Sequence, residues 1–413
     1  MPEDPEPHAQ RENGTPHALI AGAGIGGLTA ALTLAEAGWQ VTLADREPRL
    51  QEVGAGLQLA PNATRLLGPL GILDALDNLA VEPAALCIRN GETGDRLSRT
   101  PLGASAAAQF GAPFLVAHRA DLQRALLRRA AANPAITIRL GLALADLRES
   151  GEAVTGLFED GAGAALPIAA DLLVAADGLW SRGRRIAGLP GPSRYSGRTA
   201  WRTLVPRAQA PIFAREAEVH LWLGAGVHVV HYPVCGGEFV NLVAIIEDEW
   251  REEGWSAPGN PDVITSRMRG LAPRLRDLAA AAEHWNRWAL LDRPPESRWS
   301  RGRMTLLGDA AHPMLPFLAQ GASQAIEDAA ALAALLPATR DGARIAAALR
   351  RYDALRIPRT ARIQAEARRQ GTIYHLSGLG GRARDAALRL LPGTLLLRRY
   401  AWIFAHDARV IGA

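Results

Sequence analysis

The sequence contains no lysine; all 46 basic residues are arginine. Without lysine there is no Schiff base to a carbonyl cofactor, which excludes pyridoxal-phosphate chemistry, and no P-loop, whose lysine reaches the phosphates. Cysteine is almost as scarce. Cys87 and Cys235 are too few and too far apart for a disulfide framework or a zinc site, and this usage fits a reducing, intracellular compartment. No run of about 20 uninterrupted apolar residues occurs, so no membrane span is expected. Residues 1–15, MPEDPEPHAQRENGT, lack the apolar centre of a signal peptide and predict a disordered lead-in to a cytoplasmic protein. The net charge of +4 is small for 413 residues, and the arginines are scattered along predicted helices. They are expected to form solvated faces, with no nucleic-acid partner.

What is present is an ordinary globular balance, 48% apolar and 21% charged, with length enough for two cores. Residues 17–45, HALIAGAGIGGLTAALTLAEAGWQVTLAD, predict a short strand, a glycine turn at 22–27, a buried helix at 28–37 stopped by Gly38, and a second strand. Residues 119–133 predict an amphipathic helix, and ADLLVAADG (170–178) another short apolar strand. From about 190 to 297 the pattern alternates, in AEVHLWLG, VHVVHYPV and EFVNLVAII, as in an antiparallel sheet with one buried face. Beyond Gly321 the chain is predicted helical, cut into separate helices by Pro337, Pro358 and Pro392.

Gly22, Gly24 and Gly27 form G-x-G-x-x-G at a strand-to-helix junction. The first permits a tight turn, the second lets backbone approach a pyrophosphate, and the third lets helix and strand pack closely. Asp45 ends the next strand, where a ribose-binding acid belongs. This much suits either NAD or FAD. Two later segments complete the pattern: VAADGLWSRGRR, which gives D-G-x-x-S-x-x-R at Asp177, Gly178, Ser181 and Arg184, and GDAAHP from Gly308.

Together these three segments resemble the fingerprints of the single-component FAD-dependent aromatic hydroxylases, the class A flavoprotein monooxygenases. EVGAGLQLAPNATRLL (52–67) and HRADLQRAL (118–126) match as well, and the resemblance runs from about residue 17 to about 370. It is nearest to the salicylate, hydroxynicotinate and hydroxybenzoate hydroxylases. The resemblance implies an α/β fold: a Rossmann-like FAD-binding domain of the p-hydroxybenzoate hydroxylase kind, an inserted, mostly antiparallel substrate domain, and C-terminal helices. The expected division assigns 16–80, 113–189 and 298–345 to the FAD-binding domain, 81–112 and 190–297 to the substrate domain, and 346–413 to a helical tail. By position, Gly22, Gly24, Ile25 and Gly27 would meet the pyrophosphate and Asp45 the adenosine ribose, with Arg46 beside it. Gly56 and Leu57 would lie along the flavin. Arg119 matches an arginine reaching toward the pyrophosphate and Asp309 the acid on the ribityl chain. Asp177 matches a carboxylate that serves both FAD and the nicotinamide cofactor, mostly by organising the backbone.

The loop PMLPFL (313–318) would then form a dry floor beside the flavin ring at Pro316. Amides of Gly321 and Ala322, at a helix start, would stabilise negative charge on reduced flavin. Dryness would protect the flavin C4a-hydroperoxide that oxygenates the ring in these enzymes. NADH or NADPH is the implied reductant, O2 the co-substrate and a small aromatic or N-heteroaromatic acid or phenol the substrate, in a monomer or homodimer without membrane association. Ring hydroxylation is easiest on a phenolate, which calls for a base near neutral pKa. In VHVVHYP, His228 and Tyr232 are four apart and share a strand face, whereas His231 points the other way. In the hydroxylases that this chain resembles a His and a Tyr at this spacing line the substrate pocket, so the resemblance implies His228 as base and Tyr232 as positioning partner. His312 is expected to brace the flavin loop. Flavin halogenases, which share this cofactor fold, need a lysine that this chain lacks. A flavin oxidoreductase without oxygen insertion and a non-catalytic flavin-binding protein remain as alternatives.

Overall fold

The computed structural model describes residues 14–50, 55–150, 153–189 and 191–410. The expected disordered lead therefore lies almost wholly outside the described residues, as do Glu52 and Val53 of the second matching segment.

Five short strands pair in parallel in the order Met304–Leu306, Leu172–Ala175, His17–Ala21, Gln40–Asp45, Ile136–Leu140. The two central strands, Leu172–Ala175 and His17–Ala21, are apolar and buried but for His17, as strands covered on both faces must be, whereas the edge strand Ile136–Leu140 is partly exposed. The helix Ile25–Glu36 and the helix Gly321–Leu335 pack together, with Gly26 seated against Leu307 and Ala325. A three-stranded antiparallel sheet lies against Leu19 and Leu173 through Gly156. The register decides what shares an edge. Ala21 is level with Ala44 and Ala175, and Ala175 with Leu306. The residues that follow, Gly22, Asp45, Asp177 and Asp309, therefore emerge side by side at the carboxyl ends of the strands, where open α/β sheets bind ligands.

The second sheet has eight strands, ordered Ser256–Gly259, Trp285–Asp292, Arg194–Pro206, Phe239–Glu247, Val227–Val234, Val219–Gly224, Ala85–Asn90, Arg96–Pro101. Every pair is antiparallel except Val219–Gly224 with Ala85–Asn90. Alternation divides its residues between two environments. One face packs Trp201, Trp222 and Val229 against Ile264, Leu275 and Leu278 of two short helices. The other face carries three cross-strand rows: His228–Ile245–Ala200, Val230–Val243–Arg202 and Tyr232–Asn241–Leu204. Tyr232 and Asn241 of that face crowd against Gly56, which opens a two-stranded sheet of Gly56–Leu59 with Leu115–His118.

One helix prediction fails. Pro358 does not divide the C-terminal region; it sits inside a continuous helix, Gly342–Tyr374. Proline in a helix interior loses one hydrogen bond and crowds the preceding turn. Here flanking side chains hold the helix in place: Tyr352, Arg356, Thr360 and Ile363 are all buried. Pro337 and Pro392 do fall between helices.

Candidate active site

The glycine turn is shaped by contacts that admit no side chain. Gly22 has φ +107° and donates to the Ala44 carbonyl at 2.7 Å, and a Cβ on Gly27 would lie 1.8 Å from the Gly22 carbonyl oxygen. Gly24, by contrast, faces open space and begins helix Ile25–Glu36 without a side-chain cap. The first-turn amides, Ile25 among them, are thus left for an anionic ligand. Asp45 accepts from the Ala23 and Glu47 amides at 2.6 and 2.9 Å, which fixes its carboxylate at the rim of the turn. Gln123, which sequence reasoning did not single out, donates to the Ala23 carbonyl at 3.0 Å from inside the protein. Arg46 is exposed and pairs with Glu47. Arg119 opens helix Arg119–Ala131 and its amide donates to the Ala55 carbonyl at 3.1 Å.

The carboxylate of Asp177 is occupied by its own segment. It accepts from the Ser181 hydroxyl and, at 3.0 Å, from the Gly183 amide, while Ser181 caps the helix Arg182–Ile186. Arg184 reaches from that helix to the carbonyls of Ala310 and Ala311 at 3.2 and 3.3 Å. The D-G-x-x-S-x-x-R segment thereby ties the sheet to the GDAAHP loop. Asp309, alone among its immediate neighbours, is exposed, and its carboxylate makes no hydrogen bond among the described residues.

Loop 313–318 is divided by side. Leu315 and Phe317 are buried against Ala200, Ile245 and Leu290, while Met314, Pro316 and Leu318 remain partly exposed. The loop is consequently anchored in the eight-stranded sheet through Leu315 and Phe317. At its end Gly321 faces open space, and helix Gly321–Leu335 begins with no side-chain cap, leaving the Gly321 and Ala322 amides without acceptors among the described residues. His312 braces the loop by a 2.5 Å bond to Asp328, which also accepts from the Gly308 amide.

His228 and Tyr232 do share a face, and His231 lies on the other, stacked on His220 with ring centroids 4.5 Å apart. No hydrogen bond joins His228 to Tyr232 among the described residues. Tyr232 packs against Gly56 and Asn241, and the Asn241 side chain accepts from the Gly56 amide at 2.7 Å. A Cβ on Gly56 would come within 2.6 Å of the Tyr232 ring. His228 instead bonds His375 at 2.8 Å and lies beside Phe317 and Tyr374. Its pKa is held well below the ordinary value by burial, then by His375 and Arg198. His375 escaped the sequence reading because it lies 147 residues from His228. Leu57 is partly buried, packed against the main core.

The fit to a flavin dinucleotide rests on these features: two uncapped helix starts facing open space, a rim acid at Asp45 and an unpaired exposed acid at Asp309. A match to the FAD binding domain family over residues 15–367 decides between the two cofactors. The chain belongs to this family of FAD-binding proteins. The flavoprotein is 39% identical to 3-amino-4-hydroxybenzoate 2-monooxygenase of Streptomyces platensis, over 96% of this chain and 98% of that one. To 3-hydroxybenzoate 6-hydroxylase 1 of Aquipseudomonas alcaligenes it is 36% identical, over 94% and 97%. A salicylate hydroxylase solved with substrate superposes with a TM-score of 0.79 at 27% identity, covering 97% of this chain and all of that one. The flavoprotein has the frame of an FAD-dependent aromatic-ring monooxygenase. Among its described residues no helix is long and apolar enough to cross a membrane.

Proposed function

We propose that the flavoprotein uses NAD(P)H and O2 to hydroxylate a small aromatic acid bearing a ring hydroxyl, with His228 as the base. Bound FAD would pass two electrons from NAD(P)H to O2, which supplies the oxygen atom that enters the ring and loses its other atom as water. Gly22, Gly24, Ile25 and Gly27 with Asp45, Arg46 and Arg119 would hold its adenosine diphosphate half, and Asp309 its ribityl chain. Pro316, Gly321 and Ala322 would border the flavin on one side, Gly56 and Leu57 on another. Nδ1 of His228 is engaged by His375, so Nε2 is the atom left to accept a phenolic proton, and the hydroxyl of Tyr232 would position the substrate from the same sheet face.

The observation that carries an acidic substrate is Arg202. It projects from the flavin-side row beside Val243, makes no hydrogen bond or ion pair among the described residues, and has a buried, unpaired Nε. Its guanidinium lies 5.4 Å over the Trp288 ring and lines a cavity of about 280 Å³ that also touches Ala55. Burial lowers its pKa below the usual arginine value. Arg202 is partly exposed to this cavity, which Glu283 also lines. A cation so placed, with no ion pair among the described residues, favours an anion from outside, and a carboxylate satisfies it bidentately.

The test is a panel of hydroxybenzoates and hydroxypyridine carboxylates scored for stimulated NAD(P)H consumption, with product mass and peroxide measured. Stoichiometric product heavier by one oxygen supports monooxygenation; peroxide alone with every compound overturns it. In Arg202→Met, KM for the acid rises about 30-fold or more, as loss of a buried charge pair costs about 2 kcal/mol at the least. The affinity for the matching carboxamide stays unchanged. Equal effects on acid and amide would remove Arg202 from the carboxylate's side.

A further inference from the structure

His228 is buried, and a buried base needs somewhere to send what it accepts. Its Nδ1 lies 2.8 Å from Nε2 of His375, the residue that follows helix Gly342–Tyr374. Nδ1 of His375 lies 3.4 Å from Oε1 of Glu247 and 3.3 Å from Nε of Arg198. Glu247 ends the strand Phe239–Glu247 with its side chain 59% exposed, and Arg198 stands 3.6 Å from it. A file of hydrogen-bonding atoms thus runs from the substrate face of the sheet, through a second imidazole, to a carboxylate in water.

The two groups at the far end select between opposite tautomers. When His375 donates its Nδ1–H to Glu247, its Nε2 accepts Nδ1–H from His228, and Nε2 of His228 carries a lone pair. When Arg198 donates to Nδ1 of His375, both rings reverse and Nε2 of His228 carries a hydrogen, which bars it from acting as a base. Only the first arrangement has a hydrogen placed to leave toward solvent.

Resting on the reading of His228 as base, we propose that His228, His375 and Glu247 form a relay that carries the substrate's hydroxyl proton to solvent, with His375 and Glu247 as positioning residues. The substrate O–H bond breaks as its proton bonds to Nε2 of His228. The Nδ1 proton of His228 passes to Nε2 of His375, and the Nδ1 proton of His375 passes to the Glu247 carboxylate and then to water. Each imidazole gains one proton and loses one, no electron changes hands, and the products are a bound phenolate and one proton in solution.

The surroundings favour transfer over storage. Facing the two rings are Arg198 from the strand Arg194–Pro206, Glu247, Tyr374, and Arg384 from the helix Gly378–Leu390. Burial, followed by Arg198, pushes His375 down to about 4 although Glu247 opposes the shift. Neither ring keeps an extra proton near neutrality.

The experiment mixes oxidised holoenzyme with 3-hydroxybenzoate or 3-amino-4-hydroxybenzoate in weak buffer, following proton release with an indicator dye and phenolate formation by absorbance. Release in His375→Asn is expected to slow about tenfold or more, in line with loss of a proton-transfer group, with FAD content and acid affinity retained and imidazole restoring the rate. Glu247→Gln, a change at the surface, slows release as well and shifts its pH profile. Wild-type rates in His375→Asn or in Glu247→Gln overturn the relay, as does a slowed His375→Asn that imidazole does not rescue. Should His375→Asn fail to fold, the Glu247→Gln result decides. A wild-type enzyme that consumes no NAD(P)H and releases no proton with either acid removes the reading of His228 and the relay together.

Discussion

Gly27 and Gly24 belong to one motif yet are constrained by different things. A methyl on Gly27 would collide with the Gly22 carbonyl, whereas one on Gly24 meets no protein atom within 4 Å. Gly27→Ala therefore distorts the turn itself, at a cost of about 3 kcal/mol. FAD binding should weaken about 100-fold, read as loss of the yellow chromophore on gel filtration. Gly24→Ala should leave the melting temperature of the apoprotein unchanged, so that any fall in its FAD affinity reports crowding of the ligand. Equal losses of apoprotein stability in both variants would contradict this division. Asp177 shows where residue-level reading of a motif reaches its limit. Spacing identifies the acid, but only the folded structure engages both its oxygens, with Ser181 and Gly183.

Among the elements, the helix Gly342–Tyr374 departs furthest from expectation. A proline at 358 is a fair stop signal in isolation, because nothing local repays the missing hydrogen bond. Tertiary contacts override it: Arg356 lies two residues before and binds Glu327 and Asp328, and Gln364 donates to the Pro313 carbonyl at 2.8 Å. Pro358→Ala should restore the helical bond and raise the unfolding free energy by about 1–3 kcal/mol, measured by urea denaturation. A loss of stability would mean that the kinked geometry is itself needed for packing. The floor loop is also an element-scale result. Its apolar composition suggested a ligand surface, but the burial of Leu315 and Phe317 in the eight-stranded sheet was not legible, because Ala200 and Ile245 lie 70 or more residues earlier in the chain.

At the scale of the molecule, a buried charge network joins the helix Gly321–Leu335 to the C-terminal helix. Arg356 donates to Glu327 and Asp328 at 2.6 and 2.7 Å, Arg359 to Glu327 at 2.6 Å, Asn62 to Glu327 at 2.6 Å, and His312 meets Asp328. Burial by itself would raise both carboxyl pKa values. The surrounding cations more than offset it and hold each at about 2, with Arg356 foremost for Glu327 and His312 and Arg356 for Asp328. Groups depressed in the folded state stabilise it above their unfolded pKa of about 4 and lose that contribution as pH falls toward the folded value. Urea stability should be insensitive to these two groups above about pH 5 and decline as pH drops from about 4 to about 2. Glu327→Gln leaves two arginines partly unpaired and should cost about 3–5 kcal/mol at pH 7, while flattening the acid decline; an unchanged acid slope would show that other groups control it.

The sequence by itself determined the nucleotide-type sheet, the glycine turn, the acids at its strand ends and the shared face of His228 and Tyr232. Those follow from local rules: strand alternation, steric demands on glycine and the spacing of a strand-turn-helix unit. Tertiary structure alone decided that His228 pairs with His375, that Arg202 makes no ion pair among the described residues, and that Pro358 stays within a helix. Each of these depends on segments distant in the chain meeting in a closed interior, where the energy of a polar group is set by whatever partner arrives, and no local pattern encodes that arrival.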